Sequence, residues 1–299
     1  MIQTITDLEG VYAGSIHAGI KQSRYDLSYI YVPDAVASAG VFTQNKFCSS
    51  SVKYTRKCLK NNILKAMIIN SGNANTGTGK EGDENNKKMA RLTAKALGLT
   101  KSEVGVSSTG IIGVQLPFDR VEKGINSLLK SPLKKEGQNA AEGIMTTDTF
   151  SKTVFKQAKV GKKTITIAGI AKGSGMIKPN MATMLSYVVT NAHINSKLLQ
   201  ECLKEAVNIS FNSITVDTDT STSDMVIAFA TGEKKFAESN NTEISEFKAL
   251  LKEVCIDLAK LIVVDGEGAS KLIEVTVEGA KSYTEAKEVA MTVAESPLV

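Results

Sequence analysis

A chain of 299 residues can form one large or two ordinary domains and bury a sizeable core. With 42% hydrophobic residues, 23 glycines and 5 prolines, it belongs neither with collagen-like nor with disordered sequences. A net charge of +5 is modest, no apolar run approaches a membrane span, and Met1 to Gly10 carries Asp7 and Glu9 with no basic residue, which does not read as a secretory signal.

In chain order, apolar runs and periodicity predict a strand over Leu27–Val32 and another over Lys65–Asn70, then a helix over Asp83–Leu97 capped by Asp83 and stopped by Gly98. A strand over Glu103–Ser107 and helices over Phe118–Leu129 and Glu136–Thr146 follow. Further on come strands at Thr164–Ile170 and Leu185–Thr190, a helix at Ser196–Ile209, a strand at Asp224–Ala230 and a helix at Ile244–Val263. A strand at Leu272–Val277 and a helix at Thr284–Ala294 complete the chain. The class is α+β with α/β-type alternation, without repeats.

Residues 1–182 carry a net +13 and residues 183–299 a net −8. A basic first part suits nucleic acid, but its lysines are scattered, no stacking aromatics interleave with them, and the chain has no Trp. The reading preferred is that the two parts complement each other electrostatically. The four cysteines show no C-x-x-C spacing and read as reduced thiols. Only His17 and His193 exist, so a three-histidine metal centre is excluded and imidazole chemistry is unpromising.

Three segments have the residue types of a site. Gly72–Lys80, G-N-A-N-T-G-T-G-K, sits where a phosphate loop would, between a strand and a helix. It has Ala74 and Glu81 where that loop needs Gly and a hydroxyl, so a structural or substrate-positioning turn is preferred to a nucleotide site. Val106–Gly113, V-S-S-T-G-I-I-G, places small hydroxyl residues and Gly at a strand end, where backbone N–H groups can face a developing oxyanion, although such turns are also common as mere structure. In Lys172–Leu185, K-G-S-G-M-I-K-P-N-M-A-T-M-L, Gly and Pro make a tight approach to Thr183 at the mouth of an apolar strand. Cleavage before Thr183 would leave an α-amine, with an ordinary pKa of roughly 7.7 to 8.0, beside its own hydroxyl as a general base. The other reading is a Thr that simply begins a strand.

Taken together and in order, A-G-I-K from Ala18, A-G-V-F-T from Ala39, N-S-G-N-A-N from Asn70, S-T-G-I-I-G from Ser108, M-T-T-D-T from Met145, the K-G-S-G segment from Lys172, F-N-S-I-T-V-D from Phe211 and V-D-G-E-G-A-S-K from Val264 resemble the bifunctional ornithine acetyltransferase (glutamate N-acetyltransferase) family of arginine biosynthesis. The resemblance covers essentially the whole chain. It implies a layered α/β/β/α sandwich of the self-processing N-terminal-nucleophile type and cleavage between Ala182 and Thr183, giving an α chain of residues 1–182 and a β chain of residues 183–299. It also implies Thr183 as the acyl-accepting nucleophile, Thr109 and Gly110 as the oxyanion hole, and Thr146, Lys172, Thr183 and Glu267 as the substrate site. Lys172 suits a substrate carboxylate or a lowered amine pKa, and Glu267 a substrate ammonium.

The substrates implied are N-acetylornithine and glutamate, with acetyl-CoA as a second donor in bifunctional members, no metal or resident cofactor, no nucleic acid and no membrane. A cytoplasmic assembly of two α and two β chains is expected. Two departures are noted. Relatives continue past S-P-L-V into a D-P-N-W-G-R-like segment that this sequence does not contain, so that segment is expected to be absent. Thr218 stands in V-D-T-D-T-S-T where Gly is usual, and a β-branched residue resists positive φ, which predicts an altered turn. The rival readings are an aminopeptidase or amidase in which water replaces glutamate, and a non-catalytic remnant.

Overall fold

The computed structural model describes residues 2–60, 63–130, 132–178 and 184–299. Among them, nine strands form two sheets. The first has the order β1 (Tyr12–Ile16), β2 (Leu27–Tyr31), β4 (Ala66–Asn73), β5 (Val104–Ile111), with only the β4–β5 pair parallel. The second runs β3 (Ala37–Phe42), β9 (Met225–Lys235), β8 (Leu185–His193), β7 (Lys163–Lys172), β6 (Lys152–Val160), with β8 and β9 parallel.

The two sheets face each other across an apolar middle layer that includes Ile30, Met67 and Ile69 from one side and Ile170, Tyr187, Val189, Ile227 and Phe229 from the other. Helices α1 (Ser50–Leu59) and α4 (Gly137–Gly143) flank that layer. On the outside of the first sheet, α2 (Gly79–Leu97) and α3 (Phe118–Leu128) cover Leu27, Ile68 and Val106 through Met89, Ala90, Val121 and Ile125. On the outside of the second, α5 (Ser196–Ile209) and α6 (Asn241–Val264) cover Ile167, Val188 and Ala228 through Leu203, Val207, Leu251 and Leu258. The result is the expected α/β/β/α sandwich. Central strands buried on both faces read as continuous apolar runs because neither face meets water. In β8, eight consecutive residues are buried.

Three strands escape the sequence reading for one reason. β1 and β3 are built largely of Ala, Gly and Ser, and β6 is interrupted by lysines, so none carries an apolar or alternating pattern and each is defined by its ladder. Helix α1 is likewise found only in the structure, where the Ser49 hydroxyl accepts the Val52 N–H at 3.3 Å as its cap. Helix α2 begins at Gly79 rather than at Asp83, and ends, as expected, with Gly98 in the left-handed conformation.

The strand expected over Leu272–Val277 is not one: the segment pairs with no strand among the described residues, and Leu272 and Ile273 are exposed. Alternation is a local property, whereas a strand needs a neighbour to take its N–H and C=O groups. Helix α7 (Tyr283–Ala294) follows as expected.

The altered turn expected at Thr218 is also corrected. Thr218 adopts φ +65°, the conformation a glycine would take, and bears the strain itself. A left-handed L-residue costs roughly 1 to 2 kcal/mol, so Thr218→Gly is expected to raise stability by about 1 kcal/mol after the glycine's added unfolded-state entropy. A urea midpoint that does not rise would contradict the strain.

Candidate active site

The strand registers bring distant segments to one edge of the sandwich. Across the first sheet Gly72 pairs with Gly110, and across the second Lys172 pairs with Leu185, which pairs with Met225. The Thr76 and Thr222 hydroxyls meet at 3.1 Å where the sheets come together. Here a cleft of about 1090 Å³ opens, lined by Thr109, Gly110, Thr146, Lys172 and Glu267 among others. Five of the residues singled out in the sequence therefore share one cavity. The other two, Ala182 and Thr183, lie outside the described residues. The next residue, Met184, is held on both sides of its backbone: its N–H donates to Asp224 Oδ1 at 3.0 Å and its carbonyl accepts the Met225 N–H at 3.3 Å.

The turn after β4 is knitted by its own asparagines. Asn70 Nδ2 donates to the Asn73 carbonyl at 2.8 Å, Asn73 Oδ1 accepts the Asn75 N–H at 2.8 Å, and Asn75 sits at φ +48°. This turn holds Gly72 and Ala74 at the cleft. Glycine is obligatory at two points. Gly110 has φ +129°, and a Cβ there would stand 2.3 Å from the Gly72 carbonyl carbon. Gly72 has φ +104°, and its Cβ would stand 2.8 Å from Lys21 Cγ.

Beneath the cleft a buried ammonium ties three site segments together. Lys152, fully buried, donates to Asp148 Oδ1 at 2.7 Å and to Asp265 Oδ2 at 2.6 Å. Asp148 also accepts the Gly173 N–H at 2.6 Å and the Thr146 N–H at 2.9 Å. Asp265 accepts from the Thr149 N–H and hydroxyl, its carbonyl accepts the Ser174 hydroxyl at 2.6 Å, and Glu267 N–H donates to the Ser174 carbonyl at 2.9 Å. The loops carrying Thr146, Lys172 and Glu267 are thus fixed by one network. Sequence reading quoted Asp148 and Asp265 inside motifs without giving them a role, and Lys152 lies in no motif.

Electrostatics follow from burial. Desolvation would raise the Asp148 carboxyl, but the Lys172 and Lys152 ammoniums, with hydrogen bonds from Lys152 and the Thr146 N–H, hold it at about 2. Burial lowers the Lys172 ammonium against the attraction of Asp148 and Asp224, so it gives up a proton more readily than an exposed lysine. Burial raises the Asp224 carboxyl well above the usual range, despite the opposing Ser221 and Met184 hydrogen bonds and the Lys172 charge. No histidine or cysteine lines the cleft among the described residues. His17 bonds the Arg24 carbonyl at 2.8 Å, and His193 ends β8 at the opposite edge. None of the helices among the described residues is long and apolar enough to cross a membrane.

An αββα sandwich whose cleft gathers threonine hydroxyls, glycines, a desolvated lysine and a carboxylate suits an acyl-transfer enzyme. The ArgJ family model matches residues 12–299, and the chain belongs to the ArgJ family. The arginine biosynthesis bifunctional protein ArgJ of Oceanobacillus iheyensis is 42% identical over 298 residues, which are 99% of this chain and 73% of that protein. Among solved structures, ArgJ from Bacillus halodurans is 37% identical with a TM-score of 0.56, over 61% of this chain and 94% of its own. Ornithine acetyltransferase from Mycobacterium tuberculosis, solved with ornithine, is 34% identical with a TM-score of 0.52, over 59% and 95%. The chain is a glutamate N-acetyltransferase of the ornithine acetyltransferase type, an enzyme of arginine biosynthesis.

Proposed function

We propose that the chain moves the acetyl group of N-acetylornithine to glutamate in two steps through acetyl-Thr183, after cleaving itself between Ala182 and Thr183. The α-amine freed at Thr183 takes the proton of its own hydroxyl as the oxygen attacks the acetyl carbonyl. Thr109 and the Gly110 N–H hold the tetrahedral oxyanion. The C–N bond then breaks, the amine returns the proton to the leaving nitrogen, and ornithine departs, leaving an acetyl ester on Thr183. The glutamate amine reverses these steps and regenerates the hydroxyl. Thr146, Lys172 and Glu267 hold the substrate, Glu267 taking the ornithine side-chain ammonium. Acetyl-CoA, the second donor of bifunctional members, would acylate the same oxygen, and the reading invokes no metal or resident cofactor.

The observation that carries this reading is the convergence of Thr109, Gly110, Thr146, Lys172 and Glu267, from four separated segments, on one cleft. Under it, residues 1–182 and 183–299 share a core: β8 and β9 lie between β3 and β7, and Lys152–Asp265 and Lys156–Asp257 pair across the cut. The net +13 and −8 of the two pieces add a salt-screened attraction. Two such pairs assembled in the cytoplasm complete the proposal.

The test is direct. Wild-type protein should run as two fragments under denaturing conditions and co-elute under native ones, and Thr183→Ala should remain one band. Incubation with N-acetylornithine alone should add one acetyl group to the fragment beginning at Thr183. An uncleaved active wild type, or acetylation elsewhere, would sink the mechanism. Free acetate in place of acetylglutamate would favour the hydrolase.

A further inference from the structure

The A-G-I-K segment has no role in the mechanism above, yet its lysine faces the same cleft. Its backbone is fixed: the buried Asp26 carboxylate accepts the Ala18, Ile20 and Lys21 N–H groups at 2.6, 2.7 and 3.0 Å. The Lys21 stem lies against Gly72, which in turn touches Gly110 across the β4–β5 ladder. Its ammonium donates to the Met145 carbonyl at 3.0 Å, beside Thr146. Lys21 therefore stands one strand away from the oxyanion position, anchored from both sides.

Charge at this point is out of balance. Among the described residues, neither Lys21 nor Lys172 forms an ion pair, whereas Lys152 engages both Asp148 and Asp265. Asp148, the anion whose charge acts on both free lysines, is already bonded to Lys152, Gly173 and Thr146. Burial lowers the Lys21 ammonium to about 8, with Arg24 and Lys172 adding to the effect against Asp26 and Asp148. One half-buried and one fully buried ammonium, neither in an ion pair among the described residues, gain from an anionic ligand.

Both substrates must use this cleft in turn. They differ at the side-chain end, ammonium in one and carboxylate in the other, but share an α-carboxylate on the very carbon that bears the reacting nitrogen. A fixed cation close to the oxyanion hole suits only the shared group. We propose that Lys21, together with Lys172, binds the α-carboxylate of both acetyl donor and acetyl acceptor. This rests on the acetyl-transfer reading above.

The experiment compares each acid with its α-carboxamide: N-acetylornithine with N-acetylornithine amide as donor, and glutamate with its α-amide as acceptor, in wild type, Lys21→Arg and Lys21→Met. Wild type should prefer the acids. In Lys21→Met that preference should shrink about tenfold to a hundredfold for both substrates, mainly through KM, while the amides keep their wild-type KM. Lys21→Arg should keep part of it. Self-cleavage into two fragments reports folding, and if Lys21→Met does not fold, Lys21→Gln, which can still donate to the Met145 carbonyl, carries the same comparison. An unchanged acid-to-amide ratio, or a loss confined to glutamate, would overturn the assignment of Lys21. A wild type that transfers acetyl between none of these substrates would instead overturn the acetyl-transfer reading, and this inference with it.

Discussion

Replacing Lys152 by Met should destabilise the protein by about 3 to 5 kcal/mol, because it leaves the Asp148 and Asp265 carboxylates buried and facing each other without their cation. The loss should extend to catalysis. The same network sets the Thr146, Gly173 and Glu267 backbones, and a displacement of about 1 Å at such groups can cost on the order of 100-fold. Urea unfolding and steady-state transfer rates measure the two effects separately. A loss below about 1 kcal/mol would mean that the ammonium is not what joins these loops.

The acid limb of the stability curve gives this variant an independent reading. Asp148 in the folded protein sits at about 2, below its ordinary 3.8, so it favours the folded state fully above that ordinary value, and the contribution disappears as pH falls toward 2. Without Lys152, burial acts on Asp148 with less opposition and its pKa rises. After the neutral-pH difference is subtracted, Lys152→Met should lose less stability than wild type as pH falls from 3.8 toward 2, because a carboxyl whose folded pKa has risen no longer favours the unfolded state when it takes up its proton.

On the proposed mechanism, Thr109→Ala should lower kcat by about 100- to 1000-fold with little change in KM, since the hydroxyl would then act where negative charge develops and contribute little to holding the ground state. Thr109 is almost fully buried at the cleft wall, next to Gly110 in β5. The truncation therefore removes a donor without opening the site to bulk water. Thr109→Ser, which keeps the oxygen, should recover most of the rate. A tenfold or smaller effect of the alanine variant in steady-state kinetics would place the oxyanion elsewhere in the cleft.

Much of this protein is written locally. Helix α5 matches its predicted span of Ser196–Ile209 because an apolar stripe and an Asn195 cap, accepting the Leu198 N–H at 2.9 Å, are both set by neighbours in sequence. The central strands β4, β7 and β8 show as apolar runs because both faces are covered. Thr109, Gly110, Thr146, Lys172 and Glu267 stand in motifs that resemble those of a known family, and the structure lines one cleft with all five. What the tertiary structure alone decided is which groups meet. Leu272–Val277 has a strand's alternation and no neighbour to complete it, whereas β1, β3 and β6 have little pattern and are strands because a ladder accepts them. Lys152 lies in no motif of the sequence, and becomes the centre of the site's support through Asp265, 113 residues away. Periodicity and capping act within a few residues and so leave their mark in the sequence, but hydrogen-bond ladders and buried ion networks join residues whose separation along the chain carries no signal, and only packing brings them within reach.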